Sequence, residues 1–302
     1  QYTNLGFAVG AQIGQSSASH CSMHDSGAPE GFRDGIIMES NRVSAIGGLM
    51  HDGSAFQLST RTPTVLRNNW VHDTTKVAYR YDSGRNPPFA NAFGIVHNNV
   101  AWNAGRTQIK GDDHIVSNNT LLGNSAGINL NTAEYWKSSN DRTVTVNNIS
   151  DTIDGKPKFN NGAPGINKNN YITSNTNDVL RDPANLDFRP KAKSVLVGTG
   201  VITSPTDFSK EFPLTAHAIM PRNPEKFIGA YAANSDNYNI PGFRFAAASS
   251  PVPPHGSSTV KTDADLMWLT GYEAISSDVY FADSEKAVAS ANKKSKAYQG
   301  NQ

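Results

Sequence analysis

The sequence predicts an all-β protein: a right-handed parallel β-helix, or solenoid, with a short C-terminal appended segment. Two observations predict this fold. An Asn-Asn doublet recurs at intervals of 20 to 30 residues, and an apolar-alternating stretch follows each doublet. This spacing is too irregular for helical repeats, whereas the coils of a parallel β-helix keep their strands and vary their turns. The doublets are 68–69, 98–99, 118–119, 147–148 and 169–170.

Asparagines at equivalent positions of successive coils can stack in a column. Each side-chain amide then hydrogen-bonds to the coils above and below it and satisfies buried turn backbone. Alignment on the doublets places Val65–Asp73 over Ile95–Asn103, and that stretch over Ile115–Gly123. We extend the same frame back to Gly47–Gly53, with glycines replacing the asparagines, and to Cys21–Gly27. At least five coils are therefore expected.

A second strand of each coil also aligns, and its period-2 alternation predicts which side chains face the core. The residues predicted to face inward are Phe56, Leu58, Tyr79, Tyr81, Ile109, Ile128 and Leu130. Those predicted to line one outer face are Gln57, Ser59, Arg80, Asp82, Gln108, Lys110, Asn129 and Asn131.

Composition limits the possible partners. A net charge of +1 gives no general attraction for polyanions, so we expect no nucleic-acid partner, and an acidic ligand would need a local patch. No apolar run is long enough to span a membrane, so no membrane partner is expected. The single cysteine, Cys21, excludes an internal disulfide and a cysteine-built zinc site.

The chain divides by composition into three parts. Residues 1–245 are predicted to form the β-helix, and 246–262, rich in Ala, Ser and Pro, a linker. Residues 263–302 are predicted to form a partial β-sandwich-like module with two strands and a helix over Ser284–Lys296. A start at Gln1 without a leader suggests a mature secreted protein or an internal fragment. We expect a monomer that is extracellular or periplasmic.

Three stretches carry a resemblance to a known class. The sequences Asn185–Ser194 and Ile228–Tyr231 are similar to the ends of bacterial right-handed parallel β-helix proteins that act on carbohydrates, among them polysaccharide lyases and glycoside hydrolases. The stretch Asp265–Gln302 resembles the start of a fibronectin-like module appended to such enzymes. The resemblance implies a secreted protein with a polysaccharide substrate, and it does not assign catalytic residues.

The outer face combines cations, an aspartate and amides, which suits a glycan bearing uronate or sulfate. Arginine binds a carboxylate through two parallel hydrogen bonds, and lysine neutralises its charge. In a lyase acting by β-elimination, Arg80 and Lys110 would hold the acidic group. A solvated face with an ordinary Asp82 ion pair is an equally good interpretation. The substrate-binding candidates are Gln57, Gln108, Asn129, Tyr79, Tyr81 and Trp102.

Proton transfer has several candidates. His72, Tyr79 or Tyr81 could take the proton, although the tyrosines alternate inward. His72 also belongs to a predicted column of His24, His51, His72 and Trp102, beside Asp25, Asp52, Asp73 and Asn103. Each His-Asp pair could be a base with its orienting carboxylate, or a polar turn ladder, which we favour. Metal binding is less supported, because no coordination spacing is visible.

Hydrolysis is the alternative chemistry. Asp82, Asp112 and Asp113 would then supply the general acid and base, although Gly111–His114 also fits an ordinary turn. A non-catalytic β-helix for glycan binding, adhesion or assembly is the third hypothesis. We predict no metal site, and a calcium requirement stays open because no motif indicates one.

Overall fold

The computed structural model describes residues 17–19, 21–24, 30–33, 37–47, 52–58, 64–82, 94–123, 127–132, 139–156, 162–201, 226–233, 241, 247–252, 260, 262–263, 266–269, 271 and 274–302. The chain forms two compact units, Gln1–Gly242 and Phe243–Gln302. The predicted positions Asp25, His51 and Ser59 lie outside the described residues.

The first unit contains short strands that recur in groups of three. They are β1 (Ser17–Ser19), β2 (Ser22–Met23), β3 (Glu30–Arg33), β4 (Ile37–Glu39), β5 (Arg42–Ser44), β6 (Ser54–Leu58), β7 (Thr64–Arg67), β8 (Trp70–His72), β9 (Val77–Asp82), β10 (Gly94–His97), β11 (Val100–Trp102), β12 (Thr107–Lys110), β13 (Ile115–Ser117), β14 (Thr120–Leu122), β15 (Ile128–Asn131), β16 (Val144–Val146), β17 (Ile149–Ser150), β18 (Ile153–Lys156), β19 (Ile166–Lys168) and β20 (Tyr171–Ile172).

These strands build three parallel sheets. Sheet A contains β1, β4, β7, β10, β13, β16 and β19, and sheet B contains β2, β5, β8, β11, β14, β17 and β20. Sheet C contains β3, β6, β9, β12, β15 and β18. Each of the first six coils thus gives one strand to each sheet, and the last described coil gives β19 and β20 to sheets A and B. The predicted parallel β-helix is confirmed.

The predicted register is confirmed over the central coils. In sheet A, Ile95 lies opposite Val65 and Ile115. In sheet C, Gln108 lies opposite Arg80 and Asn129. The residues predicted to face inward are buried: Phe56, Leu58, Tyr79, Tyr81, Ile109, Ile128 and Leu130.

The sequence alignment placed one coil, Gly47–Gly53, wrongly. The coil before β7 uses Ile37–Ala45, not Gly47–Gly53, because Met38 pairs with Leu66 and Ser44 with His72. The pair Ser40-Asn41 occupies the doublet position. Ser40 adopts the positive φ of 54° that this turn requires, and Asn41 supplies the ladder amide, which glycine lacks. The predicted alignment of Cys21–Gly27 is confirmed for its described residues, since Met23 pairs with Val43.

The second asparagine of each doublet forms an internal ladder. Its backbone and side-chain N–H groups both donate to the side-chain oxygen on the next coil, at 2.9–3.1 Å. The ladder comprises Asn41, Asn69, Asn99, Asn119, Asn148 and Asn170. All except Asn170 are completely buried, so the ladder satisfies turn backbone as predicted.

A C-terminal stretch of the first unit covers the outer face of sheet B. It contains an antiparallel hairpin of β21 (Leu180–Asp182) and β22 (Asp187–Pro190) around a 3-10 helix, Pro183–Asn185. Phe188 and Ile228 pack against Trp70, Val100 and Ile149 of that face in a second hydrophobic cluster. These contacts close the outer face of sheet B at Trp70, Val100 and Ile149.

The second unit contains two antiparallel strand pairs. Strand β23 (Ser249–Val252) pairs with β24 (Met267–Leu269), and β25 (Asp278–Tyr280) with β26 (Tyr298–Asn301). Strand β23 falls inside the stretch whose composition predicts a linker.

The predicted helix Ser284–Lys296 is shorter in the structure, where α1 spans Glu285–Ala289. It ends because the Ser290 hydroxyl donates to the Lys286 carbonyl and Asn292 accepts from the Lys294 N–H, which begins a turn. In the described part of the chain, no helix is sufficiently long and apolar to cross a membrane.

Candidate functional site

The outer face of sheet C brings together most of the predicted site. Its first column has one side chain per coil: Gln57, Arg80, Gln108, Asn129 and Asp154. Its second column, two residues further along each strand, contains Asp82, Lys110 and Asn131. The predicted common face is confirmed as a geometric arrangement.

Asp82 lies at the centre of this face. Its Oδ1 contacts the Lys110 ammonium, and its Oδ2 accepts from Gln57 Nε2 at 3.0 Å and lies 3.2 Å from Arg80 Nη2. The Lys110 side chain is only 4% exposed, against 23% for Asp82. Three donors from three successive coils therefore fix one carboxylate.

Asp52 is a second carboxylate at this face, and sequence reasoning placed it elsewhere. Its Oδ1 lies 2.9 Å from Arg80 Nη1, and its side chain is 81% exposed. A hydrogen bond from the Gly53 N–H, aided by Arg80, lowers the pKa of Asp52. The prediction of Asp52 beside Asp73 in one column is wrong, because it followed from the misplaced Gly47–Gly53 frame.

Two buried polar atoms of the first column have no hydrogen-bond partner within the described residues: Arg80 Nε, a donor, and Asn129 Oδ1, an acceptor. The Asn129 Nδ2 donates to Asp154 Oδ1 at 2.6 Å. Gln108, between Arg80 and Asn129, is partly exposed. Since buried polar groups are nearly always paired, these two atoms mark a place for a ligand or water.

The two tyrosines lie inside the coil stack and do not reach this face. Tyr79 Oη lies 2.9 Å from the carbonyl oxygens of Asn69 and Val100, and Tyr81 Oη donates to the Thr64 carbonyl at 3.1 Å. Burial raises the pKa of both phenols. Neither tyrosine is brought to a position for proton transfer or substrate binding.

His72 and Trp102 lie on sheet B. Their rings stack with centroids 4.3 Å apart and planes 7° apart. Arg42 Nε donates to His72 Nε2 at 2.7 Å, so the other ring nitrogen, Nδ1, carries the proton and donates to Asp73 at 2.6 Å. Burial lowers the pKa of His72. The predicted His-Asp pair exists, but both ring nitrogens are engaged in a polar network away from Arg80.

Asp112 and Asp113 lie in the turn after β12. Asp112 Oδ1 accepts from Ser139 Oγ at 2.7 Å and from the Asp141 N–H at 3.0 Å. Asp113 receives two bonds from Arg142, at 2.6 and 2.7 Å, and this pairing lowers its pKa. A general acid needs a raised pKa, so the geometry favours the turn interpretation.

Asp154 is the other residue of the face that sequence reasoning missed. The alternation of Ile153-Asp154-Gly155-Lys156 aligns with Ile128-Asn129-Leu130-Asn131 and could have shown it. Within the described residues, no group of three or more His, Cys, Asp or Glu side chains could hold a metal ion.

Comparison with protein-family models, with curated proteins and with solved structures finds no match. What this face does is therefore inferred from its own chemistry.

Proposed function

We propose that the outer face of sheet C binds an extended acidic polysaccharide and cleaves it by β-elimination. The observation that supports the proposal most is the Arg80–Asp82–Lys110 cluster, in which two cations from adjacent coils meet at one carboxylate. The amides of Gln57, Gln108 and Asn129 extend this cluster along the solenoid, as an elongated ligand requires.

Arg80 is arranged to receive a carboxylate. Asp82 holds Nη2, while the Nη1 contact goes to Asp52, which is mostly in solvent. Because the Asp52 side chain is 81% exposed, a uronate can take its place at Nη1. The guanidinium keeps its orientation during this exchange because Asp82 stays in place.

The chemical step follows from a neutralised uronate. Arg80 withdraws charge from the carboxylate, which acidifies the adjacent C–H. Lys110 first passes a proton to Asp82, which it contacts, and its amine then takes the proton from that C–H; the electron pair forms the C=C bond, the bond to the leaving oxygen breaks, and water protonates that oxygen. We assign the proton transfer to Lys110 because His72, Tyr79 and Tyr81 lie elsewhere.

A panel of alginate, pectate, chondroitin and sulfated algal glycans tests the proposal. We expect ultraviolet absorbance from conjugated unsaturated ends. New reducing ends without that absorbance would mean hydrolysis and overturn the proposed reaction. If a glycan binds but neither signal appears, the protein is a glycan-binding β-helix without cleavage activity.

Lys110 needs its own test. The variant Lys110→Met keeps most of the buried volume and should abolish turnover while circular dichroism and the denaturation midpoint show a folded solenoid. Full activity in this variant would remove Lys110 from the chemistry.

A further inference from the structure

The first column of sheet C changes in charge from coil to coil. Arg80 is its cation, Gln108 and Asn129 are neutral amides, and Asp154 is a carboxylate. Its charge therefore runs from positive through neutral to negative along the solenoid axis. A ligand that extends in this direction meets a different chemical environment at each coil.

Coil spacing relates this sequence of groups to a glycan. Neighbouring strands lie about 4.8 Å apart, which is close to the length of one sugar in an extended chain. An acidic sugar at Arg80 is then followed by one sugar over Gln108 and another over Asn129.

The Asn129 position favours a ligand that brings a hydrogen-bond donor over one that brings an acceptor. Asn129 is 2% exposed, and its Oδ1 is a buried acceptor without a partner in the described part of the chain. Its Nδ2 donates to Asp154, which fixes the amide so that Oδ1 stays the unpaired atom. A hydroxyl or an acetamido N–H satisfies this atom. A carboxylate does not, and it is also repelled by Asp154.

We propose that the substrate is a sparsely charged glycan, in which the sugar two positions from the bound uronate is neutral and carries a hydroxyl or acetamido donor. Homopolyuronates, and strictly alternating copolymers that return a carboxylate to the Asn129 position, are poorer ligands. The inference rests on the proposed function, because it takes Arg80 as the uronate site, and it adds the substrate class.

Gellan and pectate test this inference, since the glucuronates of gellan are separated by neutral sugars and pectate is a homopolyuronate. We expect calorimetry to show tighter binding of gellan, and kcat/KM to follow wherever turnover occurs. The variant Asp154→Asn removes the negative charge and keeps an acceptor for Asn129 Nδ2. This variant should raise the ratio of pectate affinity to gellan affinity by at least about fivefold, because the contact between two like charges is costly.

Two results would overturn the inference: tighter binding of pectate by the native protein, or an unchanged pectate-to-gellan ratio in Asp154→Asn. Either result can coexist with Arg80-dependent cleavage, which would leave the proposed function intact. Loss of the proposed function is recognised separately, because no glycan would then give unsaturated ends.

Discussion

Asn98 and Asn99 are chain neighbours whose side-chain amides act in opposite directions. Asn99 points inward and joins the ladder, donating to Asn119 Oδ1 at 3.0 Å. Asn98 adopts a left-handed φ of 54° and donates outward to the Ala230 carbonyl at 2.9 Å. The doublet therefore combines two functions: one asparagine stacks the coils, and the other turns the chain and anchors the C-terminal stretch.

Removal of a central ladder amide should be costly. Asn99→Ala leaves the Asn69 N–H without its acceptor and the Leu66 carbonyl without a donor. We expect a loss of at least about 2 kcal/mol in the free energy of unfolding, because each of these two buried unsatisfied groups costs about 1–3 kcal/mol. Urea denaturation measures this. The matched variant Asn170→Ala, at the half-buried end of the ladder, should cost clearly less; equal losses would contradict the ladder account.

The outer asparagine should tolerate glycine better than alanine. Asn98→Gly loses two side-chain hydrogen bonds, to the Ala230 carbonyl and to His97 Nδ1, each worth about 1 kcal/mol, but keeps the left-handed turn at no steric cost. Asn98→Ala loses the same two bonds and adds about 1–2 kcal/mol of left-handed backbone strain. A thermal unfolding comparison checks this order. An alanine variant as stable as the glycine variant would show that the turn conformation is not what selects asparagine.

Gly229 holds the C-terminal stretch against the coils. Its φ is +100°, and an added Cβ would lie 2.7 Å from Ile149 Cδ1 and 3.0 Å from Thr120 Oγ1. We expect Gly229→Ala to destabilise the first unit by about 2 kcal/mol or more through strain and overpacking. Gly198→Ala, at φ +77° in open space, is the control and carries only the backbone cost. Equal denaturation midpoints for the two variants would refute close packing at Gly229.

His114 should make the solenoid less stable in mild acid. Its Nδ1 accepts from the Gly94 N–H and its Nε2 lies 2.8 Å from the Lys110 carbonyl, so the buried ring is neutral. Burial lowers the pKa of His114 to about 4, from an ordinary value of 6.5. The stabilisation is complete above pH about 6.5 and is lost as the pH falls toward 4, at up to about 1.4 kcal/mol per pH unit.

Nuclear magnetic resonance titration checks this prediction. The His114 ring should remain neutral well below the ordinary histidine value of 6.5, until the pH approaches 4. A titration midpoint for His114 near the ordinary value would contradict the buried, neutral ring. His97 behaves similarly, since burial lowers its pKa to about 4, so Asn or Gln variants of both residues should flatten the pH dependence.

Local sequence patterns predicted the repeating architecture well, because each pattern has one physical cause. The Asn-Asn doublets predicted the register between strands of successive coils, because an asparagine ladder needs an amide at the same position of every coil. The coil at Ile37–Ala45 was missed because Ser40 supplies the left-handed turn there, and one asparagine does not form a doublet. A serine in this conformation has no simple sequence signature.

The candidate site was only partly predictable. Alternation placed Arg80, Asp82 and Lys110 on one face, but it could not show that His72 belongs to another sheet. That depends on where the chain turns between β8 and β9. The contact of Asp52 with Arg80 joins positions 28 residues apart and arises only from coil stacking.

The most direct test of the proposed cleavage face compares two arginine variants. Arg80 and Arg142 are each paired with aspartate, but only Arg80 lies on the outer face of sheet C. The measurement is the initial rate of unsaturated-uronate formation on the glycan that the native protein cleaves fastest. We predict that Arg80→Ala abolishes this rate and that Arg142→Ala leaves it unchanged. A fully active Arg80→Ala variant, folded as the native protein is, would contradict the account.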